Sequence, residues 1–266
     1  MKLDFPLGAS VEGFFSGREP ADQVPVINAA RGIVSLGLGV ELWGNRGDGD
    51  PGISREEIEI VNEVCKPAPF ISLHASPDHW SWDPKGLKEE ILLARAVSAR
   101  TLVLHKESLG LIAPSSRPDL PAIRRLAEAA KKVGVLLALE NGRDSMWALD
   151  LILDALGDDP EKTNIGICID LGHAHISQDA GRQPIRNYLE RYQGQLVHLH
   201  LHDNRDGRDD HLPLGKGSID WNEALAAIKS VGYRGPAVLE IHSRGDTLAA
   251  ISQSRGLLFR IADKFS

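Results

Sequence analysis

The feature that most constrains the fold is an alternation, kept up along the whole chain, of short apolar runs with longer amphipathic segments. Strands are expected at Leu7–Val11, Leu38–Trp43, Phe70–Ala75, Thr101–His105, Val135–Glu140, Ile165–Asp170 and Ala237–His242. A further strand, seventh in order, starts at Leu196 and ends at Asp203-Asn204. Between them the spacing predicts helices over Pro25–Ser35, Lys85–Ala99, Pro118–Val133, Ser145–Leu156, Pro184–Tyr192 and Asp246–Lys264. Ser54-x-x-Glu57 reads as a capping box opening a helix to about Cys65, and Asp220-x-x-Glu223 as a similar signal opening one to Val231. Pro121 is tolerable only in the first turn of its helix.

Several of the strand runs are too apolar to be half exposed, so they are expected to be parallel and buried on both faces. Eight strand-then-helix units imply α/β architecture: a single (β/α)8 TIM barrel over residues 1–266, with its active site at the C-terminal mouth of the strands. An open, doubly wound sheet is the competitor, and the absence of a Gly-rich dinucleotide or phosphate fingerprint after the first strand counts against it. No linker or low-complexity tract divides the chain, so one domain is expected.

Composition narrows the partners. Thirty Lys and Arg against 37 Asp and Glu give a net charge of −7, which supplies no global attraction to nucleic acid or anionic lipid. Cys65 and Cys168 have no CxxC partner, so each is expected to be a small buried apolar residue. MKLDFPLGAS has no long apolar run, and no stretch approaches the ~20 apolar residues of a membrane span. The expected setting is cytoplasmic, reducing and free of membrane partners. The oligomeric state is open, with a homodimer as one candidate.

The chemistry gathers at one end of the strands. In the seventh, His198, His200 and His202 alternate with Val197, Leu199 and Leu201, which puts three imidazoles on one face. The following loop adds Asp209 and His211. A buried histidine is ordinarily satisfied by a hydrogen bond and an Asp-rich loop is ordinarily solvated. The C-terminal tips of the second to eighth strands, however, carry Glu41, His74, His105, Glu140, Asp170, His200 and Glu240, and His173 follows the sixth. Carboxylates converging on one mouth would repel each other and resist desolvation. A divalent cation such as zinc or manganese removes both problems.

On LHA at 73–75, ALEN at 138–141, ICIDLGHAH at 167–175, HLHDN at 200–204, DDHLPLGKGSIDW at 209–221 and VLEIH at 238–242, the chain resembles the xylose isomerase-like TIM barrels. That superfamily includes sugar (phosphate) isomerases/epimerases and the endonuclease IV-like AP endonucleases of family 2. The likeness to the single-metal epimerases implies metal ligation by Glu140, Asp170, His200 and Glu240. Glu140 and Glu240 are then the catalytic pair, passing a proton to and from carbon through an enediolate, and His173 contacts the substrate. Those epimerases usually carry an arginine six residues after the strand-seven histidine; here that position is Asp206.

The likeness to the endonuclease branch implies a trinuclear zinc site. His74, His105 and Glu140 would hold one ion, Glu140, Asp170, His200 and Glu240 a second, and His173, Asp209 and His211 a third. Metal content is therefore expected to be one ion under the first reading and up to three under the second. The DNA-entering wedge of those nucleases is missing after His74, where the chain reads ASPDHWSWDP, and no Lys/Arg cluster flanks the mouth. Trp43, Trp80 and Trp82 are expected to line the mouth instead, where indole faces suit a sugar ring.

The favoured expectation is a metal-dependent sugar isomerase or epimerase with a small-molecule partner. Nucleic acid is a partner only under the phosphodiesterase alternative, and a non-catalytic metal-binding barrel is a third reading. His79, His175, His198, His202 and His242 are expected to support ligands or fill the core, with His202 a rival to His200. Lys106 is expected to be solvated, with contact to an anionic substrate as the alternative, and Lys216 is a turn lysine.

Overall fold

The computed structural model describes residues 3–16, 23–44, 53–76, 81–143, 146–177, 181–205, 207–243 and 245–265. Eight parallel strands close into a barrel in chain order. They are β1 (Leu7–Ser10), β2 (Gly39–Trp43), β3 (Ile71–His74), β4 (Thr101–Leu104), β5 (Leu136–Glu140), β6 (Ile165–Asp170), β7 (Leu196–Leu201) and β8 (Ala237–Leu239). The ring is closed by Leu7, Gly8 and Ala9 of β1 pairing with Ala237, Val238 and Leu239 of β8. The (β/α)8 expectation is met, and the open sheet is excluded by that pairing.

Ten α-helices are described: α1 (Val26–Ser35), α2 (Arg55–Cys65), α3 (Pro84–Ala96), α4 (Leu120–Val133), α5 (Trp147–Leu156), α6 (Pro160–Thr163), α7 (Leu171–Ile176), α8 (Pro184–Arg191), α9 (Trp221–Ser230) and α10 (Thr247–Ala262). The short helices α6 and α7 flank β6 and are additions to the sequence reading. Aspartates start most of these helices by accepting first-turn N–H groups: Asp83, Asp119, Asp159, Asp170, Asp220 and Asp246. Ser54 and Glu57 make both halves of the capping box on α2. On α9 only the first half forms, because Glu223 turns away to accept from Arg186 Nε at 2.9 Å. Pro121 lies in the first turn of α4, where its missing N–H costs nothing.

The strand faces turned outward pack with the helices into one apolar core that includes Ile33, Leu73, Leu102, Leu139, Ile169 and Leu199. Val103, Ala138 and Cys168 form a separate small apolar cluster, and two residues farther along their strands stand His105, Glu140 and Asp170. Both cysteines are free and buried, and burial pushes the Cys65 thiol up to about 11. Strand β8 ends sooner than expected, at Leu239, yet the hydrogen bonding continues beyond it. Glu240 N–H donates to Leu201 C=O at 3.1 Å, and His242 N–H to His211 C=O at 2.8 Å. The loop after β7 has therefore taken over from β7 itself as the partner of this last stretch.

Candidate metal centre

The strand tips converge on a cavity of about 580 Å³ whose wall includes Glu12, Trp43, His74, His105, Glu140, His173, Asp209, His211 and Glu240. Three groups of ligand-type side chains meet there, the ligand atoms of each lying within 4.8 Å of one another: His74, His105 and Glu140; Glu140, Asp170, His200 and Glu240; and His173, His202, Asp209 and His211. Glu140 belongs to two of them. The expected ligand sets are thus brought together, with His202 added to the third.

Local structure aims each ligand. His74 donates Nδ1–H to Ala75 C=O at 2.9 Å, which leaves Nε2 facing Glu140 Oε2 at 3.3 Å. His105 Nε2 approaches the same oxygen at 3.3 Å. Asn141 ties β5 to β6: its Oδ1 accepts from Asp170 N–H at 2.6 Å and its Nδ2 donates to Asp170 C=O at 3.1 Å. Asp170 also caps α7, accepting from His173 N–H at 2.7 Å, so one turn of helix sets His173 beside it. His173 donates Nδ1–H to Asn141 C=O at 3.1 Å and turns Nε2 to Asp209 Oδ2 at 3.2 Å.

At the centre, His200 Nδ1 lies 3.3 Å from Glu240 Oε2, 3.6 Å from Glu140 Oε1 and 4.0 Å from Asp170 Oδ2. Although those distances are short, neither nitrogen of His200 aligns a hydrogen bond, and Glu240 Oε1 and Asp209 Oδ1 are likewise buried without one. Buried polar atoms are ordinarily hydrogen-bonded. A cluster of such atoms, all of them imidazole nitrogens or carboxylate oxygens, is the donor set that zinc and manganese take. The residues present therefore fit a divalent cation.

The protonation pattern agrees. Burial opposes charge on Glu140, but His105 and His200 outweigh it and hold the carboxyl well below its ordinary range. Burial likewise opposes Asp170 ionisation, and His173 and His202 bring it down to about 2. Burial works against protonating His74, yet its bond to Glu140 and the surrounding carboxylates raise it to about 9. His211, against burial, is raised to about 9 by Asp209 and Glu12. His173 and His200 are raised well above the ordinary imidazole value despite burial, by Asp170 and Asp209 for the first and by Cys168 and the carboxylates for the second. Without a cation, the imidazoles of His74, His173, His200 and His211 are thus held toward their protonated forms, and the carboxyls of Glu140 and Asp170 toward their ionised forms.

The remaining sequence candidates divide. Trp43 lines the cavity, stacked on His74 with ring centroids 4.3 Å apart. Trp82 packs against Gly110 and the core and is not among the residues of the cavity wall. Trp80, His79 and Asp206 lie outside the described residues. Lys106, expected to be solvated, is buried on the cavity wall with Nζ 2.8 Å from Glu107 Oε1 and over the Trp147 ring. Lys216 is exposed. His198, pushed down by burial, lies at 3.0 Å from Glu41, and Glu41 also accepts from Ser72 at 2.9 Å. The sequence reading gave Glu12 no role, although it follows β1 by two residues, the same offset at which β7 places Asp203.

A family model described as "Xylose isomerase-like TIM barrel" matches residues 39–261. Among curated proteins, a D-psicose 3-epimerase of Enterocloster bolteae is 30% identical over 121 residues, covering 44% of this chain and 37% of its own. A probable endonuclease 4 of Mycobacterium tuberculosis is 31% identical over 109 residues, covering 39% of this chain and 40% of its own. The chain spans less than half the length of the curated relatives it matches. A crystal structure of a D-tagatose 3-epimerase-like protein superposes with TM-score 0.68 at 21% identity, over 98% of this chain and 100% of that one, a likeness of fold.

Proposed function

The chain belongs to the xylose isomerase-like TIM barrels, and from that membership we propose that it is a divalent-metal-dependent isomerase or epimerase of a small sugar or sugar phosphate. The observation that carries this reading is the meeting of Glu140 and Glu240 with Asp170 and His200 in one buried group. Two carboxylates that reach one cavity from separate strand ends can serve the two faces of a substrate carbon.

Glu140, Asp170, His200 and Glu240 would hold the cation. When bound, it supplies positive charge for substrate oxygens that become negative as a C–H proton leaves. The protein's own part is proton transfer. One glutamate takes the proton from carbon and the other returns a proton from the opposite side, which inverts the centre or moves the carbonyl. Glu140 is held ionised in the metal-free chain, as a base must be. His173 and Trp43 border the same space and would orient the substrate. Lys106 and Arg143 on the wall offer positive charge to a phosphate substituent.

The test is carbon-bound hydrogen exchange in deuterated water with a panel of ketoses and ketose phosphates. Glu240→Gln should lower both exchange and turnover by about 10²–10⁴-fold, the usual worth of a general acid–base group. Full activity in that variant removes the assignment.

A second reading is favoured by the two flanking groups, which a single-metal epimerase does not need. A complete His74–His105–Glu140 group and a complete His173–His202–Asp209–His211 group support an endonuclease IV-like phosphodiesterase. Metal content separates the two: about one ion per chain with ketose exchange supports the isomerase, and about three zinc ions with cleavage of an abasic duplex supports the nuclease.

A further inference from the structure

Glu12, His211 and His242 form another group at the rim of the cavity, with ligand atoms within 4.8 Å of one another. Three separate features of the fold build it. First, His242 N–H donates to His211 C=O at 2.8 Å and His211 Nδ1–H to Glu240 C=O at 3.2 Å, so the loop after β7 is laid along the chain leaving β8. The two imidazoles are thereby stacked, with centroids 4.4 Å apart and planes 11° from parallel.

Second, the 3-10 turn Glu12–Phe14 is pressed onto the same stretch. Gly13 touches Ile241 C=O so closely that a Cβ there would overlap the oxygen, and buried Thr247 donates to Gly13 C=O at 3.0 Å. This contact delivers the Glu12 carboxylate to His242, with Oε2 3.1 Å from Nε2. Third, His242 Nε2 is buried and aligns no hydrogen bond in spite of that distance. His211 adopts φ 48°, a left-handed conformation that non-glycine residues seldom take and that is characteristic of functional positions.

We propose that Glu12, His211 and His242 are a two-histidine, one-carboxylate seat for a divalent transition-metal ion, alternative to the seat at His173, His202 and Asp209. Two imidazoles and one carboxylate are a recurrent ligand set for zinc and iron. The alternative character follows from His211. Its Nδ1 is engaged by Glu240 C=O, so only Nε2 can bind a cation, and that atom also lies 3.3 Å from Asp209 Oδ1. One lone pair serves one ion. An ion held by His211 Nε2 therefore takes its other ligands from one set or from the other. The inference rests on the metal-binding part of the function proposed above and not on the reaction.

The test uses the full chain, demetallated and reloaded with Zn²⁺, with metal per chain measured for wild type, Asp209→Asn and Asp209→Asn/Glu12→Gln. Thermal unfolding of each confirms that it is folded. Asp209→Asn should keep the wild-type content, because the ion moves to the Glu12 side, and the double variant should hold about one equivalent less. Equal content in the two variants overturns the seat, as does complete loss in Asp209→Asn alone. Nitrogen NMR of zinc-loaded Asp209→Asn gives a second readout: the His242 Nε2 resonance should move on loading, and an unmoved resonance overturns the proposal. Absence of metal from the wild-type chain would instead remove the metal reading as a whole.

Discussion

Gly172 shows how narrowly single residues are fixed at this centre. The His202 ring occupies the space a side chain would need there, and a Cβ at Gly172 would overlap its Cε1. His202 in turn lies 3.0 Å from the Asp170 carboxylate. Gly172→Ala should destabilise the chain by about 1–3 kcal/mol, the usual cost of overpacking. It should also weaken metal binding, since displacing His202 frees Asp170; calorimetric unfolding and a zinc titration check the two effects. The protons held by His74 and His211 give a second residue-scale expectation. Both are raised from 6.5 to about 9 in the fold. Their contribution to stability is therefore complete below about pH 6.5 and is lost as pH rises through 9. The demetallated chain should lose stability across that window, measured by denaturant unfolding at several pH values. Zinc affinity should rise over the same window, because the cation then displaces fewer protons.

At the scale of elements, the loop between β7 and α9 is organised by one buried carboxylate. Asp203 accepts from Asn204 N–H at 3.0 Å, Gly215 N–H at 2.8 Å, Ile219 N–H at 3.1 Å and Trp221 Nε1–H at 3.0 Å. Asn204 Oδ1 adds a bond from Asp210 N–H at 2.7 Å. These bonds fold the Gly-Lys-Gly turn back and hold Asp209 and His211 over the mouth. Asp203→Asn turns an amide N–H toward donors that need an acceptor, at about 1–3 kcal/mol for each buried donor left unpaired. It should lower the melting temperature and weaken zinc binding by the group of His173, Asp209 and His211, while binding by the group of Glu140, Asp170, His200 and Glu240 is kept. Metal content per chain measures this, and an unchanged content would count against the loop's assigned role.

For the whole molecule, closure of the barrel is what lets β3 through β8 contribute to one centre. A cation bound there would join strands on opposite sides of the ring and would favour the folded chain. Free metal at a thousandfold excess over Kd stabilises by about 4 kcal/mol, and each kcal/mol is worth about 2–4 °C for a domain approaching this size. Chelation should therefore lower the melting temperature by about 10 °C, and zinc or manganese should restore it. Identical melting with and without chelator would remove the metal from the account.

The sequence by itself determined the order of the eight strands and of the longer helices between them. Apolar runs long enough for buried parallel strands, and capping residues such as Ser54 and Asp246, act over a few neighbours and are readable there. Period-two alternation likewise put His198, His200 and His202 on one face, and the strand-end positions of Glu140, Asp170 and Glu240 marked them for a common mouth. What only the tertiary structure decided are contacts made across the ring. His202 joins the Asp209 group because Gly172 leaves it room, Lys106 is buried beside Trp147, Glu223 leaves its cap for Arg186, and Glu12 reaches His242 across more than two hundred residues. Local signals decay within a turn or two of chain, whereas these pairings depend on how far each side chain reaches once the barrel has closed.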